Sequence, residues 1–168
     1  VLDIAKAMRP SMLEFMDKPS INAVEDELKM GLDREAEGML VIQSDEPGEY
    51  AAGQIGIVEE LCAKNGASEV YATDDAEEGE AFVTARRMAI PAVEKKGTLL
   101  LEDVGVPLPR LGDLVNGIEE IAEKRGVLIS VIAHAGDGNT HPLLIVDPAD
   151  AEQRARADIA YGEVMDLA

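Results

Sequence analysis

The feature that most constrains the fold is a short glycine-rich segment between two apolar runs near the end of the chain. Residues 128–133 and 142–146 both have the aliphatic, β-branched composition of strands. The segment between them is too short for a crossover connection, so the two strands must pair antiparallel, as a hairpin. Gly136 and Gly138 permit the positive φ that a sharp reversal of the chain requires.

The rest of the chain alternates short apolar runs with helical patterns, which by itself favours a parallel α/β sheet. Ser20 and either Asp74 or Asp75 are the predicted N-caps, and Gly66 and Gly126 mark helix ends. No linker, repeat or low-complexity tract divides residues 1–168, so we expect a single domain. The predicted strands are 11–16, 39–42, 69–73, 98–101, 128–133 and 142–146, and the predicted helices are 20–30, 49–65, 76–92, 108–125 and 149–168.

Charge and cysteine content exclude several classes of partner. The chain has 34 acidic and 15 basic residues, a formal net charge of -19, and such a surface repels nucleic-acid phosphates and anionic lipid heads. No apolar run approaches the roughly 20 residues that span a bilayer. Cys62 has no partner for a disulfide, so nothing indicates an oxidising compartment. We therefore expect a cytoplasmic protein with no nucleic-acid partner and no transmembrane segment, and a parent protein that is either free or peripheral to the inner face of the membrane.

Both ends of the sequence look like cut points. The chain begins at Val1 and not at Met, and it stops at Ala168 within a helical pattern that has no cap or glycine stop signal. We therefore expect residues 1–168 to be one domain of a longer chain.

Both histidines of the chain flank the glycine-rich segment. His134 leaves one predicted strand and His141 enters the next, so the hairpin brings their rings close together. Two imidazoles are half of a metal site, since a catalytic zinc usually has three protein ligands and one open position. A third ligand must be a carboxylate or lie outside this chain, and Asp137 is better placed for backbone hydrogen bonds in the turn. The alternative is a hairpin whose flanking histidines bind nothing.

The stretch HAGDGNTHP, residues 134–142, resembles the signature of the C-terminal domain of FAD-linked oxidases, a family that includes glycolate oxidase and D-lactate dehydrogenase. Blocks similar to the family stand in the same order at residues 22–26 (NAVED), 85–92 (ARRMAIPA) and 102–107 (EDVGVP). The similarity spans nearly the whole chain and is closest to the glycolate and lactate type.

This resemblance implies an α+β fold, a ferredoxin-like sandwich with a mainly antiparallel sheet and helices packed on it, in place of the parallel sheet. It implies a substrate-binding, or cap, domain that works with a separate FAD-binding domain of the same parent chain, absent from residues 1–168. FAD would be bound mainly by that other domain. The implied reaction is hydride transfer to FAD from a small 2-hydroxy acid of the glycolate or D-lactate type.

The resemblance also implies roles for three residues. His134 and His141 match the family histidines that bind a divalent metal such as zinc, and Arg86 matches an arginine that pairs with the substrate carboxylate. A guanidinium binds a carboxylate through two parallel hydrogen bonds, and a metal that holds the 2-hydroxyl lowers its pKa. Arg87 is expected on the surface. Taken alone, the Arg86–Arg87 pair would be interpreted as solvated charges near a helix C-terminus.

Two features depart from the family pattern. In the family, a Gly-Glu-His-Gly element after the last helix completes the metal site and supplies the base. The chain ends before such an element, and Gly162-Glu163-Val164 does not match it because no histidine follows. We therefore expect no catalytic base within the chain, and a base beyond Ala168. Hydroxyglutarate-type enzymes carry Asn two positions after the second motif histidine, where this chain has Leu143, which argues against a dicarboxylate substrate.

Two other functions stay open at this point. A self-contained metal-dependent hydrolase would use His134, His141 and a third ligand such as Asp103 or Asp137. A non-catalytic binding module would have histidines that affect only local stability. We rank the flavin-dependent enzyme first, because a long motif and several ordered blocks support it.

Overall fold

The computed structural model describes residues 1–168 and contains one antiparallel sheet covered by helices. The helices are α1 (Leu2–Ala7), α2 (Lys18–Leu28), α3 (Glu49–Lys64), α4 (Ala76–Arg87), α5 (Ala89–Glu94), α6 (Leu111–Arg125) and α7 (Ala151–Leu167), and a 3-10 turn at Leu108–Arg110 precedes α6. The strands are β1 (Met12–Asp17), β2 (Gly38–Gln43), β3 (Thr98–Leu101), β4 (Val104–Gly105), β5 (Leu128–His134) and β6 (Asn139–Val146).

Every strand pairing in the sheet is antiparallel. The strand order is β2-β1-β5-β6-β3, and the short β4 also pairs with β6. Strands β5 and β6 form the predicted hairpin, in which Ile132 lies opposite His141 and His134 lies opposite Asn139. The α+β fold with an antiparallel sheet is therefore confirmed, and the parallel sheet that simple alternation favoured is wrong.

Helices cover both faces of this sheet. Leu143 and Leu144 in β6 are both fully buried, although neighbouring side chains of a strand point to opposite faces. Leu143 packs in a cluster with Met16 and residues of α2 and α5. Leu144 packs with residues of α6 and α7. The sheet is thus buried in its centre on both sides, which explains the continuous apolar run in β6.

Asp17, and not Ser20, is the N-cap of α2. Asp17 Oδ1 accepts a hydrogen bond from the backbone N–H of Ser20 at 2.9 Å, and Pro19 occupies the first helical turn, where no amide donor is needed. Asp17 Oδ2 accepts from the backbone N–H of Val131 at 2.6 Å. One buried carboxylate therefore caps a helix and joins β1 to β5. Ser20 lies inside the helix, with its hydroxyl oxygen 2.5 Å from that of Ser130.

The stability of this junction should depend on pH. Burial raises the pKa of Asp17 from the ordinary 3.8 to about 6, against the effect of its hydrogen bonds. Since the folded carboxyl group binds its proton more tightly than the unfolded one, its contribution is complete below about pH 4 and is lost as the pH rises through about 6. At about 1.4 kcal/mol per pKa unit, the loss amounts to about 3 kcal/mol.

We expect Asp17→Asn to abolish this pH dependence. The free energy of unfolding of the wild type, minus that of Asp17→Asn, should be about 2 kcal/mol larger near pH 4 than near pH 7, because the unfolded carboxyl group is already partly ionised at pH 4. Urea denaturation at the two pH values measures the difference, with Asp45→Asn, a change at an exposed carboxyl group, as the control. A difference that stays constant or grows with pH would contradict the assignment.

The strand predicted at residues 69–73 is wrong. These residues lie between α3 and α4, are mostly exposed and pair with no strand of the sheet. Tyr71 is 61% exposed; its hydroxyl donates to Glu78 Oε2 at 2.9 Å, and its ring packs against that of Phe82. Strand propensity alone is therefore a poor guide here, since it depends on packing against neighbouring strands.

The helix predicted at residues 76–92 is divided into α4 and α5. Asp75 caps α4, as one of the two predicted caps, but α4 ends at Arg87 and α5 begins at Ala89. Pro91 explains the break, because it has no N–H to donate to the carbonyl of Arg87 and its ring would clash with that carbonyl. As a result, Arg86 lies in the last turn of a short helix. None of the seven α-helices combines the length and apolar character needed to cross a bilayer.

Candidate functional site

The turn between β5 and β6 is fixed by backbone hydrogen bonds. The amides of Asp137 and Gly138 both donate to the carbonyl of His134 at 3.1 Å, and the Asp137 side chain accepts from the N–H of Asn139 at 2.9 Å. Gly138 has a φ of +87°, and its carbonyl accepts from the N–H of Val106 at 3.2 Å. Asp137 therefore stabilises the turn, as expected from the sequence. Of the two glycines predicted to use positive φ, only Gly138 does so.

The hairpin brings the two histidine rings together. Their centroids are 5.3 Å apart and their planes are at 88° to each other. The side chain of His134 is 47% exposed and that of His141 is 17% exposed. Asp103 Oδ1 lies 3.9 Å from His141 Nδ1, which is too far for a hydrogen bond. The two imidazoles thus meet at the end of the sheet, where β5 and β6 turn.

A third side chain of this site, Glu14, was not predicted from the sequence. The β1–β5 register places it directly opposite His134, and its two carboxylate oxygens lie 2.9 and 3.1 Å from His134 Nδ1. Its side chain is only 15% exposed. Glu14 lies on the same face of β1 as Met12 and Met16. An acidic residue on an otherwise apolar strand face is the signal that would have identified it.

Arg86 approaches the same carboxylate from α4. Its Nη2 lies 2.7 Å from Glu14 Oε2, and only 11% of its side chain is exposed. Its Nε is buried and has no hydrogen-bond partner. Buried donors are nearly always paired, so this guanidinium retains a capacity to bind an acceptor. Arg87 lies on the surface, as expected: its side chain is 67% exposed and pairs with Glu80 at 2.8 Å.

Glu14, Arg86, His134 and His141 form what we call the Glu14 cluster. A guanidinium with an unused donor can bind a carboxylate, and a neutral imidazole can bind a hydroxyl group or a metal through a ring nitrogen. Arg86 also supplies local positive charge, which an anionic ligand needs on a chain with a net charge of -19. The cluster is therefore suited to a small molecule that has a carboxylate next to a hydroxyl group.

The cluster supplies two potential metal ligands but not a complete site. No group of three or more His, Cys, Asp or Glu side chains in residues 1–168 is arranged to hold a metal ion. The Asp103 side chain is 66% exposed, and Asp137 is engaged in its turn. The donor types fit a divalent metal, but their number does not. A self-contained metal-dependent hydrolase using Asp103 or Asp137 is therefore not supported.

The glycine-rich turn between β5 and β6 does not resemble a pyrophosphate-binding site for FAD. The turn leads into β6 and not into a helix, so the amides of a helix N-terminus, which commonly bind phosphate groups, are missing there. The high negative charge is unfavourable for the same group. This turn therefore does not fit the pyrophosphate of FAD.

Glu163 is occupied in a structural contact. It lies in α7, and its carboxylate pairs with Arg125 at 2.5 Å and Lys124 at 2.7 Å in α6. Hydrogen bonds from Arg125, and then from Lys124, lower the pKa of Glu163 to about 2. This carboxylate thus joins α7 to α6 and lies apart from the Glu14 cluster.

Comparison with known proteins finds relatives over nearly the whole chain. The glycolate oxidase subunit GlcD of Bacillus subtilis is 35% identical over 166 residues, which cover 98% of this chain and 35% of that protein. The GlcD subunit of Escherichia coli K12 is 30% identical over 98% of this chain and 33% of its own length. The mitochondrial D-lactate dehydrogenase [cytochrome] of Arabidopsis thaliana is 26% identical over 94% of this chain and 28% of its own length.

The chain therefore spans about a third of the length of the curated relatives it matches. The model of a single domain family matches the whole of residues 1–168. That family is described as FAD linked oxidases, C-terminal domain. This chain therefore belongs to the C-terminal domain family of the FAD-linked oxidases.

Proposed function

We propose that this chain is the substrate-binding domain of a FAD-dependent 2-hydroxy-acid dehydrogenase or oxidase of the glycolate or D-lactate type. Membership of the family and the names of the relatives support this function. The structural observation that carries it is Arg86, a buried guanidinium with an unpartnered Nε close to two imidazoles. Because the glycine-rich turn does not fit the pyrophosphate of FAD and the matching family is a C-terminal domain, a separate FAD-binding domain of the same parent chain is part of the proposal.

In this function, Arg86 binds the substrate carboxylate. Its Nη2 stays in contact with Glu14, while the unpartnered Nε donates to a carboxylate oxygen. His134 and His141 lie on the side of the 2-hydroxyl group. This arrangement holds both polar groups of the substrate and leaves the substrate carbon facing outward, toward the domain that binds FAD. When bound, the flavin accepts the hydride from that carbon.

We further propose that His134 and His141 are two ligands of a divalent metal such as zinc, with a third ligand and the base supplied from outside residues 1–168. The ring centroids lie 5.3 Å apart, which is close enough for both imidazoles to bind one ligand. A divalent metal held there would act as a Lewis acid toward the 2-hydroxyl oxygen. The two histidines then keep the hydroxyl side of the substrate in a fixed place relative to Arg86.

The role of Arg86 is tested by anaerobic titration of the flavin absorbance with D-lactate or glycolate, in the full-length protein that contains this chain. We expect Arg86→Lys to raise the apparent dissociation constant about 10- to 100-fold, because a charge-assisted contact contributes about 1.5 to 3 kcal/mol. Lysine keeps a positive charge beside Glu14 but loses the planar donor pair.

The matched control is Arg87→Lys, one residue away on the surface, which should bind the substrate like the wild type. If Arg86→Lys and Arg87→Lys have the same dissociation constant as the wild type, the carboxylate is bound elsewhere and this assignment is wrong.

A further inference from the structure

We infer that Glu14 is a positioning residue, whose single carboxylate fixes the proton position on His134 and holds Arg86 beside it. This inference rests on the proposed function for its catalytic meaning. The structural part stands on its own contacts, which join one acidic side chain from β1 to β5 on one side and to α4 on the other. Glu14 would thus shape the site without touching either the substrate or the flavin.

The first step in the argument is the choice of donor and acceptor. An ionised carboxylate has no hydrogen to donate, so the short contacts between Glu14 and His134 require Nδ1 of His134 to be the donor. In the neutral ring, the proton then lies on Nδ1 and the lone pair on Nε2. Carboxylates beside metal-binding histidines commonly fix the ring in this way. Glu14 thus leaves Nε2 of His134 available to a metal or to a substrate hydroxyl group.

The second step is the rigidity of the contact. Glu14 and His134 are direct cross-strand partners, and the neighbouring Leu13 carbonyl accepts from the N–H of Gly136 at 3.1 Å. The turn is therefore tied to β1 just beyond the pair. The ladder fixes the backbone of Glu14, and the contacts with His134 and Arg86 hold its mostly buried carboxylate.

The third step is that one carboxylate serves both ends of the proposed substrate. Glu14 Oε2 lies 2.7 Å from Arg86 Nη2 and 3.1 Å from His134 Nδ1. The residue for the substrate carboxylate and the residue for the hydroxyl side therefore share one fixed reference point. A change at Glu14 should therefore alter the positions of both Arg86 and His134, although Glu14 itself does not contact the substrate.

Glu14→Gln gives a specific prediction, because glutamine has one acceptor oxygen and one donor amide. Arg86 can only donate, so it should take the amide oxygen and turn the NH2 group toward His134. The NH2 group then takes the place of Oε1, the oxygen closer to Nδ1 of His134 at 2.9 Å, so Nδ1 should accept and the proton of the neutral ring should move to Nε2. The same side-chain shape is kept, but the lone pair on Nε2 is lost. The affinity for a divalent metal should fall about 10- to 100-fold.

The test is ¹⁵N NMR of the full-length protein labelled at histidine, recorded near pH 8.5, where an ordinary imidazole is neutral. The His134 signal is assigned by its loss in His134→Asn. We expect the Nδ1–H form in the wild type, in Glu14→Asp and in the surface control Glu35→Gln, whose site is 88% exposed, and the Nε2–H form in Glu14→Gln. An Nε2–H form in the wild type overturns the inference even if Glu14→Gln fails to fold. An Nδ1–H form in a folded Glu14→Gln also overturns it.

This readout separates the inference from the proposed function. The tautomer is measured without substrate, so a flavin that no 2-hydroxy acid reduces would sink the proposed function and leave the role of Glu14 toward His134 intact. Conversely, normal reduction of the flavin together with an unchanged tautomer in Glu14→Gln would sink the inference alone.

Discussion

Gly138→Ala is expected to destabilise the domain by about 2 to 4 kcal/mol, which is large for one added methyl group. A Cβ at this position would lie 2.2 Å from the carbonyl oxygen of Val106, and φ is +87°. The neighbour is backbone, held by its own hydrogen bond between Val106 N–H and Gly138, so it cannot yield as a flexible side chain would. The hairpin that carries both histidines would have to shift.

Gly136→Ala, two residues away in the same turn, is the matched control. Its Cβ would make an ordinary contact of 3.6 Å with Leu13 Cβ, and its φ is not positive. We expect a change within about 1 kcal/mol. Urea denaturation followed by far-UV circular dichroism measures both variants, since the chain has no Trp for fluorescence. Equal stability of the two variants would contradict the fixed turn.

Arg86→Ala is expected to cost about 3 kcal/mol or more of folding stability, because it leaves the buried carboxylate of Glu14 without its cation. The two side chains are only 11% and 15% exposed. Arg87→Ala removes a guanidinium whose partner and own side chain are both exposed. For this control we expect a loss of no more than about 1 kcal/mol.

A double-mutant cycle separates the ion pair from the packing of Arg86. If Glu14 and Arg86 are coupled, Glu14→Gln with Arg86→Met should cost less than the sum of the two single changes, by at least about 1 kcal/mol. Denaturation midpoints and slopes of the four proteins give this coupling energy. Additive effects would mean that the contact between these side chains does not stabilise the domain.

The hairpin and most of the helices could be predicted from the sequence because their signals are local. The glycine-rich segment between two apolar runs required antiparallel pairing, and Gly126 marked the end of α6 in a left-handed conformation. The false strand at residues 69–73 shows the limit of such signals. A strand needs a partner, and whether one is available depends on the whole sheet, not on nearby residues.

The candidate site was predictable only in part, for the same reason. His134 and His141 are seven positions apart on one hairpin, so their proximity followed from the turn. Glu14 is 120 positions from His134 in sequence and reaches it only through the β1–β5 register. Arg86 was identified by resemblance, but its contact with Glu14 depends on how α4 packs in the folded chain.

The measurement that tests the central claim most directly is the wild-type arm of the anaerobic titration. The full-length protein that contains this chain is purified, its flavin spectrum is recorded without oxygen, and D-lactate or glycolate is added. We expect the flavin absorbance to bleach with the 2-hydroxy acid and not with the matching diol, which lacks the carboxylate that Arg86 binds. A protein without flavin, or a flavin that neither acid reduces, would contradict the account.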